Sequence, residues 1–327
     1  MRKLVSVQKI KNIQDIQGAD KIQQAKVLGY HVVIKKGEFN DDDLVVYCET
    51  DTILPKDNPL FAFLEGKPIK TRKMRGVVAQ GICFPVNILE NYQQYKEGDI
   101  IADLVNAKKY EPDFNNITNV EGDFPNWIPK TDETRIQDLE GILKKYKNTE
   151  CVITEKLDGS SITFWLDDND ELHVCSRNRI VDNNSCFYKI ASQYKEGLKN
   201  IPRNIIIQGE LVGTKIQSNK YKLNCKEIFA FNVRGFGDYF SFKQSVGLLK
   251  LANIPTVPIL NNSYYLSDNV DELVQMSKGQ STIGNTPREG IVIRPKRDIY
   301  INNNYSFADG RLSFKVINPD FLLKYHL

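Results

Sequence analysis

The chain has 327 residues, 41% of them hydrophobic and 26% charged, with a formal net charge of +3. That length exceeds one ordinary core and fits two domains, each with enough apolar content to fold. Residues 1–105 carry 15 Lys plus Arg against 14 Asp plus Glu, so a basic tail is excluded and any nucleic-acid surface must be a local patch. Six cysteines stand scattered with no Cys-x-x-Cys pair beside only three histidines, a pattern that argues against a zinc site or a disulfide framework. No run of about 18 apolar residues occurs. The expectation is an intracellular protein of a reducing compartment, cytoplasmic or nuclear, with no membrane contact and no obligate protein partner, working as a monomer.

Residues 1–105 read as short strands with turn punctuation, at 26–34, 44–48 and 77–84, which is the grammar of a small closed barrel. The stretch Ile16-Gln17-Gly18-Ala19-Asp20-Lys21-Ile22 and the strand after it resemble the opening of OB modules that bind transfer RNA. Between Lys67 and Gly76 five positive charges fall on an expected hairpin or loop. Lys70, Arg72, Lys73 and Arg75 there are candidates for tracking phosphates; a merely solvated basic loop is the other reading.

Over 106–130 apolar periodicity fades while Asn, Asp and Pro accumulate, which predicts an irregular linker. Thr131-Asp132-Glu133-Thr134 then suits the cap of a helix with Ile136, Leu139, Ile142, Leu143 and Tyr146 on one face. Arg135 falls on the other face of that helix, as a solvated charge. Residues 131–327 alternate strands with helices at 187–198, 242–251 and 270–277, one α+β domain.

Within that domain Glu155-Lys156-Leu157-Asp158-Gly159-Ser160-Ser161 follows the apolar run 151–154. A lysine at a strand end, before an Asp-Gly turn, is a common β pattern. It is also a place where an amine, dried and crowded by cations, can lose its proton and attack phosphorus. Downstream, Glu210 and Glu289 lie in or at the end of apolar strands, where a carboxylate is costly unless it meets a cation or a hydroxyl. Arg177 offers a planar fork of donors for ribose or phosphate. Phe229 and Phe231 are read as alternating, one toward the core and Phe231 toward a purine, with both rings in packing layers as the other possibility. Lys315, flanked by Phe314 and Val316, needs an anionic partner, for which a triphosphate serves.

These segments come in a fixed order: Cys175 to Arg179, Ile205 to Gly213, Ile228 to Gly235, Arg288 to Pro295 and Leu312 to Asn318 after the Lys156 block. Together they resemble motifs I, Ia, III, IIIa, IV and V of the covalent nucleotidyltransferase superfamily of ligases and capping enzymes. Twelve residues follow Lys315, too few for a carboxy-terminal OB domain. The order therefore resembles ATP-dependent RNA ligases with an amino-terminal OB domain.

That resemblance implies an α+β architecture: an N-terminal OB-like β-barrel at 1–105, a linker at 106–130, and at 131–327 an ATP-grasp-like nucleotidyltransferase domain of antiparallel sheets with helices. It implies adenylylation of Lys156 with Lys315 assisting, and a nucleotide site of Glu155, Arg135, Asp158, Gly159, Arg177, Glu210, Phe231, Glu289 and Val292. Asp158, Glu210 and Glu289 would hold Mg2+ or Mn2+, and RNA or a nicked RNA-containing duplex would be the substrate. One departure is Ile317, where the family often has a second lysine; Arg294 and Lys324 are the candidates for that cation. A DNA ligase of the same chemistry and a non-catalytic RNA-binding protein remain the alternatives.

Overall fold

The structure, a computed structural model, describes residues 3–110, 119–235, 237–301, 307 and 310–327. Its amino-terminal part is an antiparallel sheet in the order Tyr30–Lys35, Ile22–Val27, Val5–Asp15, Leu44–Cys48, Ile82–Pro85. Alternation along Val5–Asp15 sends Val5 and Val7 into one apolar cluster and Ile10 into a second, so both faces of the sheet are filled. Gln80 N donates to His31 O at 2.8 Å, drawing the far edge toward the first strand and curling the sheet in the OB manner.

Two expected strands divide here. The run 26–34 is a hairpin, Ile22–Val27 and Tyr30–Lys35, because Leu28 takes a left-handed φ of 52° and turns the chain at Gly29. The run 77–84 breaks at Gly81, whose φ of +100° and close approach to the Tyr47 ring leave no room for a side chain. The basic stretch does form a hairpin, Arg72–Met74 against Val77–Ala79.

The carboxy-terminal part holds two sheets. One runs Val120–Asp123, Arg179–Val181, Leu172–Cys175, Ser160–Leu166, Ile206–Gly213, Lys226–Gly235, Asp238–Tyr239. The other runs Thr134–Arg135, Phe314–Ile317, Gly290–Pro295, Glu150–Lys156, Ile259–Tyr265. Cys186–Ala191 and Phe242–Leu251 pack on the outer face of the first through Phe187, Ala191 and Leu249. Ile142, Leu143 and Leu273 from Glu140–Lys145 and Val270–Ser277 cover the second. Each sheet thus buries its outer face under helices and turns its inner face toward the other.

Three expectations are corrected. The helix after Thr131 begins only at Glu140: Thr134–Arg135 is a short strand parallel to Phe314–Ile317, and a 3-10 turn, Ile136–Asp138, separates it from the helix. Backbone pairing with the lysine-bearing strand outweighs the local capping signal. The expected helix at 187–198 is split into Cys186–Ala191, a 3-10 turn and Lys195–Leu198. The linker is shorter than composition suggests, since Val120–Asp123 pairs with Arg179–Val181 and Ile128 packs beside Trp165 and Cys175; its stretch 111–118 lies outside the described residues.

Candidate active site

The strand Glu150–Lys156 belongs to one inner sheet and the next strand, Ser160–Leu166, to the other. The turn Leu157-Asp158-Gly159 is therefore the crossing between sheets. Register does the rest: Thr154 pairs with Val292, Val292 with Lys315 and Lys315 with Arg135, so these four residues lie in one row across the inner face. Opposite them, Ser161 pairs with Glu210. Gly159 is needed for closeness rather than conformation, because a Cβ there would strike the Leu211 carbonyl. Its N–H donates to Glu210 Oε1 at 2.9 Å.

Lys156 Nζ donates to Glu289 Oε2 at 2.8 Å with the lysine side chain 24% exposed. Burial alone would push this ammonium down, but Glu289 and then Glu210 outweigh it, and its pKa stands raised. The expectation of an amine stripped of its proton by cationic neighbours is corrected: carboxylates surround it and keep it charged. The lysine depressed by its surroundings is Lys315, pushed down to about 7 by burial and then by Lys156 and Arg135. Glu210 is pushed up to about 8, chiefly by burial.

Beyond Lys156 opens a narrow pocket of about 70 Å³ lined by Leu157, Phe231, Val257 and Val292, with Glu155 and Glu133 at its polar wall. Phe229 and Phe231 lie two apart on Lys226–Gly235 and share a face, both packing near Leu157 and Val257. The expected division of the two rings is corrected, since side chains alternate every residue and return every second; Phe231 is the one that lines the pocket. Glu155 is buried, with Oε2 accepting from Thr282 N at 3.0 Å and Thr282 Oγ1 at 2.7 Å. Its Oε1 has no hydrogen-bond partner among the described residues, a buried acceptor that calls for a donor.

Other expected residues lie farther out. Arg135 is nearly buried, not solvated, and its guanidinium reaches the amino-terminal sheet, donating to Thr50 Oγ1 at 3.1 Å and approaching Asp51 Oδ2 at 3.4 Å. Arg177 spans both oxygens of Asp132 at 2.8 and 3.1 Å on the open rim. Burial opposes ionisation of Asp132, but Arg177, Lys315, Lys109 and Lys156 together outweigh it and hold the carboxyl below its usual range. Arg72, Lys73 and Arg75 are exposed on their hairpin, and Lys70 donates to His326 O at 2.6 Å. Arg294 is occupied by Glu133 at 2.9 Å, Ser313 and the Phe231 carbonyl, and Lys324 meets Thr286 Oγ1 at 3.3 Å.

Sequence reasoning missed four contributors. Lys220 pairs with Asp158 while its ammonium lies 5.6 Å from the Phe321 ring and 5.3 Å from the Tyr325 ring. The Tyr221 hydroxyl accepts from Asp158 N at 2.6 Å. Glu133 and Thr131 line the pocket from the segment before Glu140. Their partners are distant in sequence, and no local pattern marks them.

A curled OB-type sheet ahead of two facing sheets, with a lysine ringed by carboxylates at their seam, characterises a nucleotidyl-transferring enzyme with an OB module ahead of it. A family model for an OB-fold domain matches residues 4–86, and one for RNA ligase matches residues 149–317. The chain belongs to the RNA ligase family. Among solved structures it is similar to Naegleria gruberi RNA ligase in three states. A variant with AMP and Mn is 30% identical, covering 98% of each chain at a TM-score of 0.87. The form with PPi is 30% identical over 100% of this chain and 99% of that one, TM-score 0.87. A second variant, with ATP and Mn, is 29% identical over 98% of each, TM-score 0.87. No curated protein sequence matches the chain.

Proposed function

We propose that the chain is an ATP-dependent RNA ligase that joins a 3′-hydroxyl to a 5′-phosphate through AMP carried on Lys156. The observation behind this reading is the seam itself: Lys156 among Asp158, Glu210 and Glu289, with Lys315 in the same row and an apolar pocket beside it. A purine fits between Phe231, Val257 and Val292, its exocyclic amine meeting the unpartnered Glu155 Oε1. The phosphates then lie toward Lys315, whose buried cation an anion would stabilise.

In the first step the Lys156 amine, its proton passed to a neighbouring oxygen, attacks the α-phosphorus; a P–N bond forms and the bond to pyrophosphate breaks. In the second a 5′-phosphate oxygen attacks the same phosphorus and Lys156 leaves, taking a proton. In the third a 3′-hydroxyl attacks the 5′-phosphorus and AMP departs. Each is an in-line displacement in which the protein positions groups and balances charge.

Asp158, Glu210 and Glu289 would supply the oxygen donors for Mg2+ or Mn2+; Asp158 now pairs with Lys220 and Glu289 with Lys156, and buried Glu210, pushed up to about 8, is a carboxyl whose ionised form a cation would favour. Such an ion, when bound, neutralises charge at the transferred phosphate. Selection of RNA would rest on contacts to 2′-hydroxyls beside the 3′ end.

The test is incubation with α-labelled ATP and a divalent ion followed by denaturing electrophoresis. Wild type is expected to hold the label and Lys156→Ala to hold none; label on the alanine variant removes Lys156 as acceptor. Nicked duplexes differing only in ribose or deoxyribose at the 3′-hydroxyl then separate RNA from DNA ligation, equal sealing defeating the RNA reading.

A further inference from the structure

We infer that a groove between the two modules, walled by Lys70, Lys220 and Lys222, is the track for the RNA strand that bears the 5′-phosphate. The inference rests on the ligase reading above and extends it to a surface that reading does not use. The groove holds about 540 Å³ and is completed by Tyr110, Ser218 and Asn219, a size in the ordinary range of ligand sites. It shares no lining residue with the pocket beside Lys156.

Two contacts tie the groove to the reacting centre. Lys220 on its floor pairs with Asp158, two residues after the nucleophile. Asp51 on its other wall meets Arg135, which stands in register with Lys315. The groove therefore joins the site where the phosphates are expected, not where the base is. Among its charged side chains Asp51 is met by Arg135 and Lys220 by Asp158, which leaves the ammonium groups of Lys70 and Lys222 as the uncompensated charge.

The loop carrying two of those lysines is built to hold a shape. Lys215, Gln217, Ser218, Asn219 and Lys222 all have left-handed φ between 43° and 63°, a costly run that persists only where surroundings fix it. Asn219 fixes it, its Nδ2 donating to Leu223 O at 2.8 Å and its Oδ1 accepting from Leu223 N at 3.0 Å. Lys222 is exposed and has no ion-pair partner among the described residues. A strained loop that presents an unpaired cation beside a serine and an amide suits a phosphodiester, to which such groups donate.

The experiment uses the full chain and its Lys222→Glu and Lys222→Ala variants. A 5′-hydroxyl RNA, unable to react, reports binding by fluorescence anisotropy across a salt series, and α-labelled ATP reports lysyl-AMP formation. We expect Lys222→Glu to weaken RNA binding at least about tenfold more than it slows lysyl-AMP formation. For Lys222→Ala the slope of log K against log salt should become shallower by about 0.7, the value for one single-strand phosphate contact. RNA binding equal to wild type in both variants, with lysyl-AMP formed normally, overturns the track and leaves the ligase reading standing. Equal losses in both assays overturn it too, assigning the groove to the phosphates of ATP. Absence of lysyl-AMP in wild type defeats the ligase reading alone, since the anisotropy arm still judges the groove.

Discussion

In the proposed ligase the reacting form of Lys156 is the neutral amine, yet Glu289 and Glu210 hold the nitrogen in its ammonium form. Below a raised pKa the neutral fraction falls about tenfold for each pH unit, so single-turnover lysyl-AMP formation should climb steadily with pH between about 7 and 9. Glu289→Gln removes the charge that contributes most to that rise. Its profile should be displaced toward lower pH even though its maximum rate drops. A flat wild-type profile, or a variant displaced upward, contradicts this account of the amine.

The residues of this site differ in how plainly they could be read from the chain. Lys156, Asp158, Glu210, Glu289 and Lys315 sit in strand-plus-turn strings that are individually common and informative through their order, and the structure brings Lys156 to Glu289, Glu210 to the turn after Asp158, and Lys315 into the adjoining strand. Lys220 could not be found that way. It stands 62 positions from Asp158, in a loop whose left-handed backbone carries no hydrophobic rhythm, and only the folded path brings the two together. Arg135 entered through the resemblance alone, and its burial was not legible, because the strand it forms depends on a partner 180 residues downstream.

On the level of elements, the crossing turn Leu157-Asp158-Gly159 is the tightest joint in the site. Gly159→Ala sets a methyl against the Leu211 carbonyl and the Val212 side chain, with backbone that cannot yield cheaply. The expected cost is about 1–3 kcal/mol of stability, with lysyl-AMP formation reduced at least about tenfold, since a misplacement near 1 Å is worth that much or more. Gly247 in Phe242–Leu251 is the contrast: a Cβ there meets nothing within 4 Å. Gly247→Ala should raise the unfolding free energy by about 0.5–1 kcal/mol. Chemical denaturation of the two variants side by side measures both, and equal behaviour would show that crowding at 159 is unimportant.

The same level shows where local signals lose. Helices Phe242–Leu251 and Val270–Ser277 agree with their periodicity because each packs one apolar stripe on a sheet. Thr131 to Thr134 has the letters of a helix cap, but the chain there is recruited as an edge strand and pocket wall. Composition likewise marked 106–130 as irregular, while strand pairing at Val120–Asp123 is set by the partner strand and leaves little trace in its own sequence.

For the whole molecule, the contact between modules is polar and partly ionisable. Gly29 N donates to Gln137 O at 2.9 Å, Tyr30 Oη to Asp138 Oδ2 at 3.2 Å, and Lys26 and His31 reach Asp271. Asp138 is pushed up to about 7, first by burial and then by Glu49. An acid with a raised folded pKa binds its proton more tightly folded than unfolded. Its unfavourable contribution is therefore absent below about 4, grows through the interval to about 7 and is complete above that. Asp138→Asn should leave stability nearly unchanged at pH 4.5 and increase it by about 1–3 kcal/mol at pH 8. Thermal unfolding at the two pH values reads the difference, and a variant less stable at pH 8 refutes a costly carboxylate.

Arg135 has one further consequence. Its backbone is hydrogen-bonded to the strand of Lys315 while its guanidinium grips Thr50 and Asp51, so a single side chain belongs to both halves of the protein. Cutting the polypeptide near residue 130 would orphan that cation, and cutting near 118 would keep an outer strand in place but still strip its anchor away. The amino-terminal half is thus fastened to the strand of Lys315 through one guanidinium, and in the proposed ligase it would close the site on the phosphate side.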